Sequence, residues 1–127
     1  MTMTITDCPF CEVSDSEIVL NNELCFARWD KFPVSDGHAL IIPFRHFSNY
    51  FDATQHEKNA IWSLVEDVKH EIRQEHSPDG YNIGVNIGRA AGQTIPHLHV
   101  HIIPRYEGDM DDPKGGIRGV IPKKQKY

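Results

Sequence analysis

In the last third of the chain, His97-Leu98-His99-Val100-His101-Ile102 alternates an imidazole with an apolar side chain, without a break. A strict period of two predicts a half-buried β-strand, because successive strand side chains point to opposite faces. One face is then apolar and the other carries three imidazoles, roughly 6–7 Å apart along the strand. Packing alone seldom builds a polar strand face from three histidines. Imidazole serves near neutral pH as nucleophile, acid, base or metal ligand. The segment is therefore read as a structural element and a site at once.

The chain of 127 residues is expected to form one domain, 1–127, with 108–127 as a Gly/Pro/Lys-rich C-terminal tail. Hydrophobic residues make up 39%, enough for a globular core. A net charge of −5 argues against a general nucleic-acid surface, while leaving room for a local basic pocket. No apolar run approaches the length of a membrane span. Met1 to Asp7 lacks the basic start and apolar core of a secretory signal, and three cysteines are an odd count. Both point to a reducing, cytoplasmic setting rather than a disulfide framework.

Taken in order, Cys8-Pro9-Phe10-Cys11 is a Cys-x-x-Cys pair. It reads as half of a zinc site or as two small buried residues near a terminus. A redox pair opens a helix after a strand, a context not found here. Ile18–Leu20 and Leu24–Ala27 predict a β-hairpin turning at Asn21-Asn22-Glu23, with Cys25 in the core. Asp30 to Gly37 is a loop, and His38 to Ile42 a buried strand stopped by Pro43, with Arg45 and His46 at its exit. Asp52 to about His76 is the one clear helix, capped by Asp52 with Gln55 three residues on. Ile61, Leu64, Val65, Val68 and Ile72 form its apolar stripe. Glu57 falls among the charges of the solvated side, and His56, His70 and His76 read as surface residues.

Ser77-Pro78-Asp79-Gly80 ends the helix, and Tyr81 to Ile87 is a second alternating strand. Gly88 to Gln93 is a small-residue loop whose backbone amides can approach an anion, or a plain hairpin connection. The tail is too rich in Gly and Pro for regular structure, and its lysines and Arg118 suit phosphate contacts or a solvated terminus. The sum is an α+β fold: an antiparallel sheet of about five strands with one main amphipathic helix on one face. There is no internal repeat, low-complexity segment or linker.

Two chemistries suit the histidine strand. His97 and His99 can chelate one zinc, which leaves His101 unexplained. Alternatively, a neutral imidazole held in one tautomer presents its lone pair to an electrophile, with neighbouring rings and amides stabilising the developing charge.

Gln93-Thr94-Ile95-Pro96-His97-Leu98-His99-Val100-His101-Ile102-Ile103 closely resembles the histidine triad (HIT) signature, His-φ-His-φ-His-φ-φ with an upstream Gln. Asp30, Gly37-His38, Ile42-Pro43, His46 and Asn86 stand at the family's other marked positions, so the resemblance spans nearly the whole chain. It implies a HIT-like fold and a nucleotide hydrolase or transferase acting at an α-phosphate. His99 would attack phosphorus and form a covalent nucleotidyl-histidine. His101 would assist the leaving group and His38 would line the same pocket. Gly92, Gln93 and Thr94 would lie at the phosphates, Gln93 and Thr94 binding them through side chain and backbone. Asp30 would take the ribose hydroxyls and Asn86 would help hold the nucleotide.

The N-terminal Cys-x-x-Cys resembles that of bacterial-type members, in which four ligands hold zinc. Carried over, these are Cys8, Cys11, His46 and His97, a closed structural set. The resemblance further implies a homodimer formed by sheet pairing, which would bring the tail near the partner's active site. An adenine nucleotide is the favoured partner, with no nucleic acid and no membrane. Dinucleoside polyphosphates such as diadenosine tetraphosphate (Ap4A) are the leading substrates. Nucleoside phosphoramidates are the alternative. A nucleotide-binding regulator and a catalytic zinc hydrolase are more distant ones.

Overall fold

The computed structural model describes residues 7–127. Met1 to Thr6, on which the expectation of no secretory signal partly rests, lie outside the described residues. Five strands form one antiparallel sheet: β1 Leu20–Asn21, β2 Cys25–Trp29, β3 Ala39–Pro43, β4 Gly80–Gly84 and β5 Val100–Arg105. Their order across the sheet is β1-β2-β3-β5-β4, so β1 and β4 are the edges. A single long helix, α1 Gln55–Glu75, crosses one face. Among the described residues no helix is long and apolar enough to cross a membrane.

The period-two pattern divides the sheet into two working faces. Cys25, Ala27, Ala39, Ile41, Val100 and Ile102 point to α1 and pack against Ile61, Leu64, Val65, Val68 and Ile72. Each large aliphatic side chain removed from water here contributes about 1.5–3 kcal/mol. On the other face Phe26, Leu40 and Ile42 pack against Cys8 and Phe10 of the N-terminal segment. His101 follows the same alternation: it pairs with Leu40 and lies between the buried Val100 and Ile102.

Local chemistry shifts several expected boundaries. The helix is capped by Thr54, not Asp52; the Thr54 hydroxyl accepts from Glu57 N at 3.0 Å, and Glu57 returns the bond to Thr54 N at 2.9 Å. Asp52 instead ends a 3-10 turn, Tyr50–Asp52, that precedes the helix. Glu57 is accordingly buried rather than solvated, and Arg45 donates to both its oxygens at 3.1 and 2.7 Å. His56 and His70 are exposed as expected, whereas His76 is half-buried. Its ring lies under Gly37, where an added Cβ would come within 3.1 Å of His76 Cδ2. Gly37 also has φ +88°, so this turn, which aims the next residue His38, admits only glycine without strain.

The histidine strand begins at Val100, later than expected. His97 and Leu98 are both buried, so strict alternation holds only from His99 on. β4 is likewise shorter than the Tyr81–Ile87 pattern, ending at Gly84. The tail, expected to lack regular structure, contains two 3-10 turns, Gly116–Val120 and Pro122–Lys124. It folds back on its own chain, with Ile117 Cδ1 3.4 Å from the Cβ position of Gly84. Part of its charge is paired internally: Lys126 with Asp112 at 3.2 Å, and Arg118 with the Gln125 and Lys124 carbonyls.

Replacing Thr54 by Ala removes the reciprocal cap and is expected to cost about 1 kcal/mol of stability. Urea unfolding followed by circular dichroism checks this; Asp52→Ala should shift the midpoint much less.

Candidate active site

His99 and His101 stand in a cavity of about 430 Å³ on the sheet face opposite α1. Asp30, His38, Asn86, Gly92, Gln93 and Thr94 line the same space, so the structure brings together all eight expected catalytic and substrate-binding positions. The remaining four, Cys8, Cys11, His46 and His97, converge separately, with their ligand atoms within 4.8 Å of one another.

Hydrogen bonds fix the imidazole tautomers. His99 Nδ1 lies 2.9 Å from the carbonyl of His97. A carbonyl only accepts, so Nδ1 carries the proton and Nε2 keeps its lone pair. The main-chain N–H of Val34 donates to His38 Nδ1 at 3.1 Å, which leaves the His38 proton on Nε2. That Nε2 is 3.0 Å from His101 Nδ1 and 3.4 Å from Asp30 Oδ2. Donation along the shorter contact puts the His101 proton on its own Nε2. The site thus holds one imidazole with a free lone pair beside another that presents an N–H. Burial, and then the neighbouring His99 and His38, push His101 down to about 4, so it is neutral at physiological pH. Burial lowers His38 as well, with Asp30 partly opposing it.

The Gly-rich approach loop is built differently from expectation. Gly92 adopts the left-handed conformation at φ 92°, closing a 3-10 turn over Arg89–Ala91. Its N–H bonds to Arg89 and that of Gln93 to Gly88, so neither amide is open to an anion. The Gln93 side chain, expected at the phosphates, instead braces the loop: Oε1 accepts from Gly88, and Nε2 donates to the Ser48 and Ile95 carbonyls. Thr94 is exposed, and among the described residues its amide and hydroxyl make no hydrogen bond. Asp30 Oδ1 is held by Phe32 N at 2.8 Å, leaving Oδ2 to His38 and the cavity.

His97 belongs to the other cluster. It is fully buried, and its Nε2 donates to the Pro43 carbonyl at 2.8 Å. Nδ1 is therefore the lone-pair nitrogen, and it faces Cys8 Sγ at 3.3 Å, Cys11 Sγ at 3.5 Å and His46 Nδ1 at 3.1 Å. A tetrahedral zinc spaces sulfur and nitrogen ligands about 3.3–3.8 Å apart. His97 Nδ1 lies at that distance from both thiols, while its contact with His46 and the Cys11–His46 contact, at 3.1 and 3.2 Å, are slightly shorter. Burial, then the neighbouring Cys8, push the Cys11 thiol up to about 11, a penalty that a divalent cation reverses by binding the thiolate. His97 and His99 face different partners, so they do not form the two-histidine chelate open to them in the sequence.

A second cavity of about 390 Å³ adjoins the first and shares Val34, His38, Asn86 and His101 with it. Ile103, Val85 and the tail residues Ile117 and Val120 give it apolar walls.

Residues 12–108 match the family model described as the HIT domain. The chain belongs to the HIT family. It is 36% identical to a 16.1 kDa HIT-like protein of Mycoplasma pneumoniae, over 84% of this chain and 76% of that one. It is 34% identical to the AP-4-A phosphorylase of Mycobacterium tuberculosis, covering 81% of this chain and 56% of the relative. With the bis(5'-adenosyl)-triphosphatase of Dictyostelium discoideum it shares 33% identity, over 79% and 67% of the two chains. Among solved structures, a HIT family protein of Bacillus anthracis superposes with a TM-score of 0.75 at 35% identity, covering 84% and 78% of the two chains. A zinc-bound histidine triad protein of Mycobacterium smegmatis gives 0.73 at 29% identity, covering 81% and 78%.

This HIT chain also places in its cavity residues that the motif did not single out. Phe10, Phe32, Leu40 and Ile95 supply apolar walls, and Arg28 contributes a buried cation. The signal for Arg28 was present: it is the single charge in the β2 segment Cys25-Phe26-Ala27-Arg28-Trp29.

His101 makes stability depend on pH. Between its ordinary value of 6.5 and about 4, the unfolded chain binds a proton that the folded chain refuses. Its contribution is complete above pH 6.5 and is lost as pH falls to about 4. Thermal melts across that window should show a falling midpoint, with a shallower slope in His101→Gln. Equal slopes in the two proteins would remove His101 as the cause.

Proposed function

We propose that the protein hydrolyses dinucleoside polyphosphates of the Ap4A type at an α-phosphate, through a covalent nucleotidyl-histidine on His99. The observation that carries this is the bond from His99 Nδ1 to the His97 carbonyl, which leaves Nε2 as a free nucleophile in the cavity. Attack by Nε2 forms an N–P bond while the P–O bond to the departing nucleotide breaks and its electron pair leaves with that oxygen. The ring becomes cationic, and its Nδ1–H remains on the carbonyl, which stabilises the charge as it forms. Water then attacks phosphorus; the N–P bond breaks, its electron pair returns to His99 Nε2, and the water's proton is released to solvent.

Around that centre, His101 offers its Nε2–H to the phosphate or the leaving group, and His38 holds it in the donor tautomer. Asp30 takes the ribose, while Asn86, Gly92 and Thr94 border the nucleotide. Gln93 acts by holding the loop. Two of the relatives are named for diadenosine polyphosphates, which supports this substrate class.

A second reading, cleavage of nucleoside phosphoramidates, has its own support. An amine needs a proton as it departs, and neutral His101 has one to give. Beside His38 and His101, the adjoining cavity has apolar walls from Val85, Ile103, Ile117 and Val120 and no basic side chain, which does not suit a polyphosphate chain. We read residues 1–127 as one domain of which the tail is a working part, its Ile117 and Val120 lining the same adjoining cavity as His101. The outer edge of β4 is the proposed pairing edge of a homodimer. Cys8, Cys11 and Cys25 are all free thiols, which suits a cytoplasmic protein.

Cys8, Cys11, His46 and His97 are the proposed zinc ligands. A bound zinc would pin the N-terminal segment to the end of β3 and the start of the histidine segment; with four protein ligands it leaves no open position for substrate.

Brief mixing with Ap4A, and separately with an AMP-lysine phosphoramidate, followed by intact-mass analysis, should reveal a transient AMP adduct. His99→Ala should lose the adduct and at least about a thousandfold in turnover, yet still bind AMP. Turnover that survives this substitution rules out His99 as nucleophile. The faster of the two substrates distinguishes the two readings.

Removing metal with a chelator and dialysing back zinc should lower and then restore the melting temperature, with no such response in Cys11→Ser. Inhibition by the chelator without any change in melting would instead indicate a catalytic metal.

A further inference from the structure

A buried cation stands in the wall of the cavity. Arg28 is only 6% exposed, yet it lines the same space as His99 and Asp30. Its neighbours on that sheet face, Phe26 and Leu40, belong to an apolar cluster, so packing alone asks for no charge there. Nη2 pairs with Glu17 Oε2 at 2.9 Å, and Nε donates to the Trp29 carbonyl at 3.3 Å. Among the described residues Nη1 makes no hydrogen bond. A guanidinium is a permanent cation with a rigid fork of donors. Here part of that fork is left over at the wall of a binding cavity.

Register gives its place relative to the chemistry. Arg28 pairs with Leu40, and Leu40 in turn pairs with His101. Two strand spacings put the Arg28 backbone about 10 Å from that of His101. With an α-phosphate at His99 and His101 and the ribose at Asp30, that is the region the base of a nucleotide reaches. Phe10, Leu40 and Ile95 offer apolar surface to its rings.

We propose that Arg28 reads the edge of the base and selects guanine. The assignment rests on the nucleotide reading of the site given above. Guanine presents O6 and N7 side by side, two acceptors that match a fork of N–H donors. Adenine sets its N6 amino group beside N7, so one donor meets another and a contact is lost. The discrimination is thus between the two purines. Glu17 is a positioning residue: it anchors one arm of the guanidinium and lies 3.5 Å from Lys31 Nζ, a second residue of the cavity wall. The base preference would thereby differ from that of the two relatives named for adenosine.

Substrates that differ only in the base test this. Guanosine and adenosine 5'-phosphoromorpholidates, and diguanosine beside diadenosine tetraphosphate, are compared in wild type, Arg28→Met and Arg28→Met/Glu17→Gln. The double variant removes the acid together with its cation, so a fold disturbed by an unpaired Glu17 is recognised. In wild type, kcat/KM should favour guanosine by roughly tenfold or more. In both variants the ratio should fall to about one. Calorimetry with GMP and AMP reads the same preference without turnover. A wild-type preference at or below one, in turnover or in binding, overturns the assignment, and so does a guanosine preference that persists in both variants. If no substrate turns over but GMP still binds more tightly than AMP in an Arg28-dependent way, the hydrolase reading fails and base selection stands.

Discussion

One buried imidazole ties the molecule together. His97 donates through Nε2 to the Pro43 carbonyl at the end of β3, which turns Nδ1 into the Cys8, Cys11 and His46 cluster. Its main-chain carbonyl holds His99 Nδ1, which frees the opposite nitrogen of that ring. A single residue thus joins the N-terminal segment, the end of β3 and the tautomer of the proposed nucleophile. Loss of its side chain would leave the Pro43 carbonyl and two thiols without their buried partner, so the damage would spread beyond the immediate contact.

The two sheet faces divide the remaining work. The face under α1 carries the larger apolar core, with Ile41, Ile61, Ile72 and Leu98 fully buried. The opposite face is less regularly covered, by the N-terminal segment at one end and the folded-back tail at the other. The site cavity is bordered by the N-terminal segment, and the adjoining one by the tail. Of the site imidazoles, His101 stands within β5, and His38 and His99 stand one residue before β3 and β5, whereas the covers of this face come from less regular chain.

Much of this was legible before any coordinates. The alternation over His97–Ile102 announced a site, and the apolar stripe of α1 announced its scaffold. The hairpin, whose turn falls one residue later than expected because Asn21 still pairs with Phe26, and the loop over Asp30–Gly37 followed from turn chemistry. What failed was local competition between equivalent signals. Asp52 and Thr54 both qualify as helix caps, and the choice fell to Thr54 because Glu57 completes its reciprocal bond. Glu57 in turn looked solvated, since nothing in a helical wheel shows that Arg45 from another segment will reach it. Gln93 fits a phosphate-binding motif, but its amide is occupied by three main-chain groups that come together only in the fold. Arg28 was visible as a charge in an apolar strand, yet its meaning depends on a cavity that spans distant segments. The tail's glycines concealed two 3-10 turns held by contacts with β4 and with each other.

β5 has a further consequence that resembles a reading frame. From Val100 to Arg105 each residue alternates between the core and the opposite face. Inserting or deleting one residue in this strand would exchange the two sets, driving His101 into the aliphatic core and Ile102 into the cavity. Point substitutions here can be graded in effect, whereas a change of length by one cannot. The segment therefore tolerates drift in identity far more readily than drift in spacing.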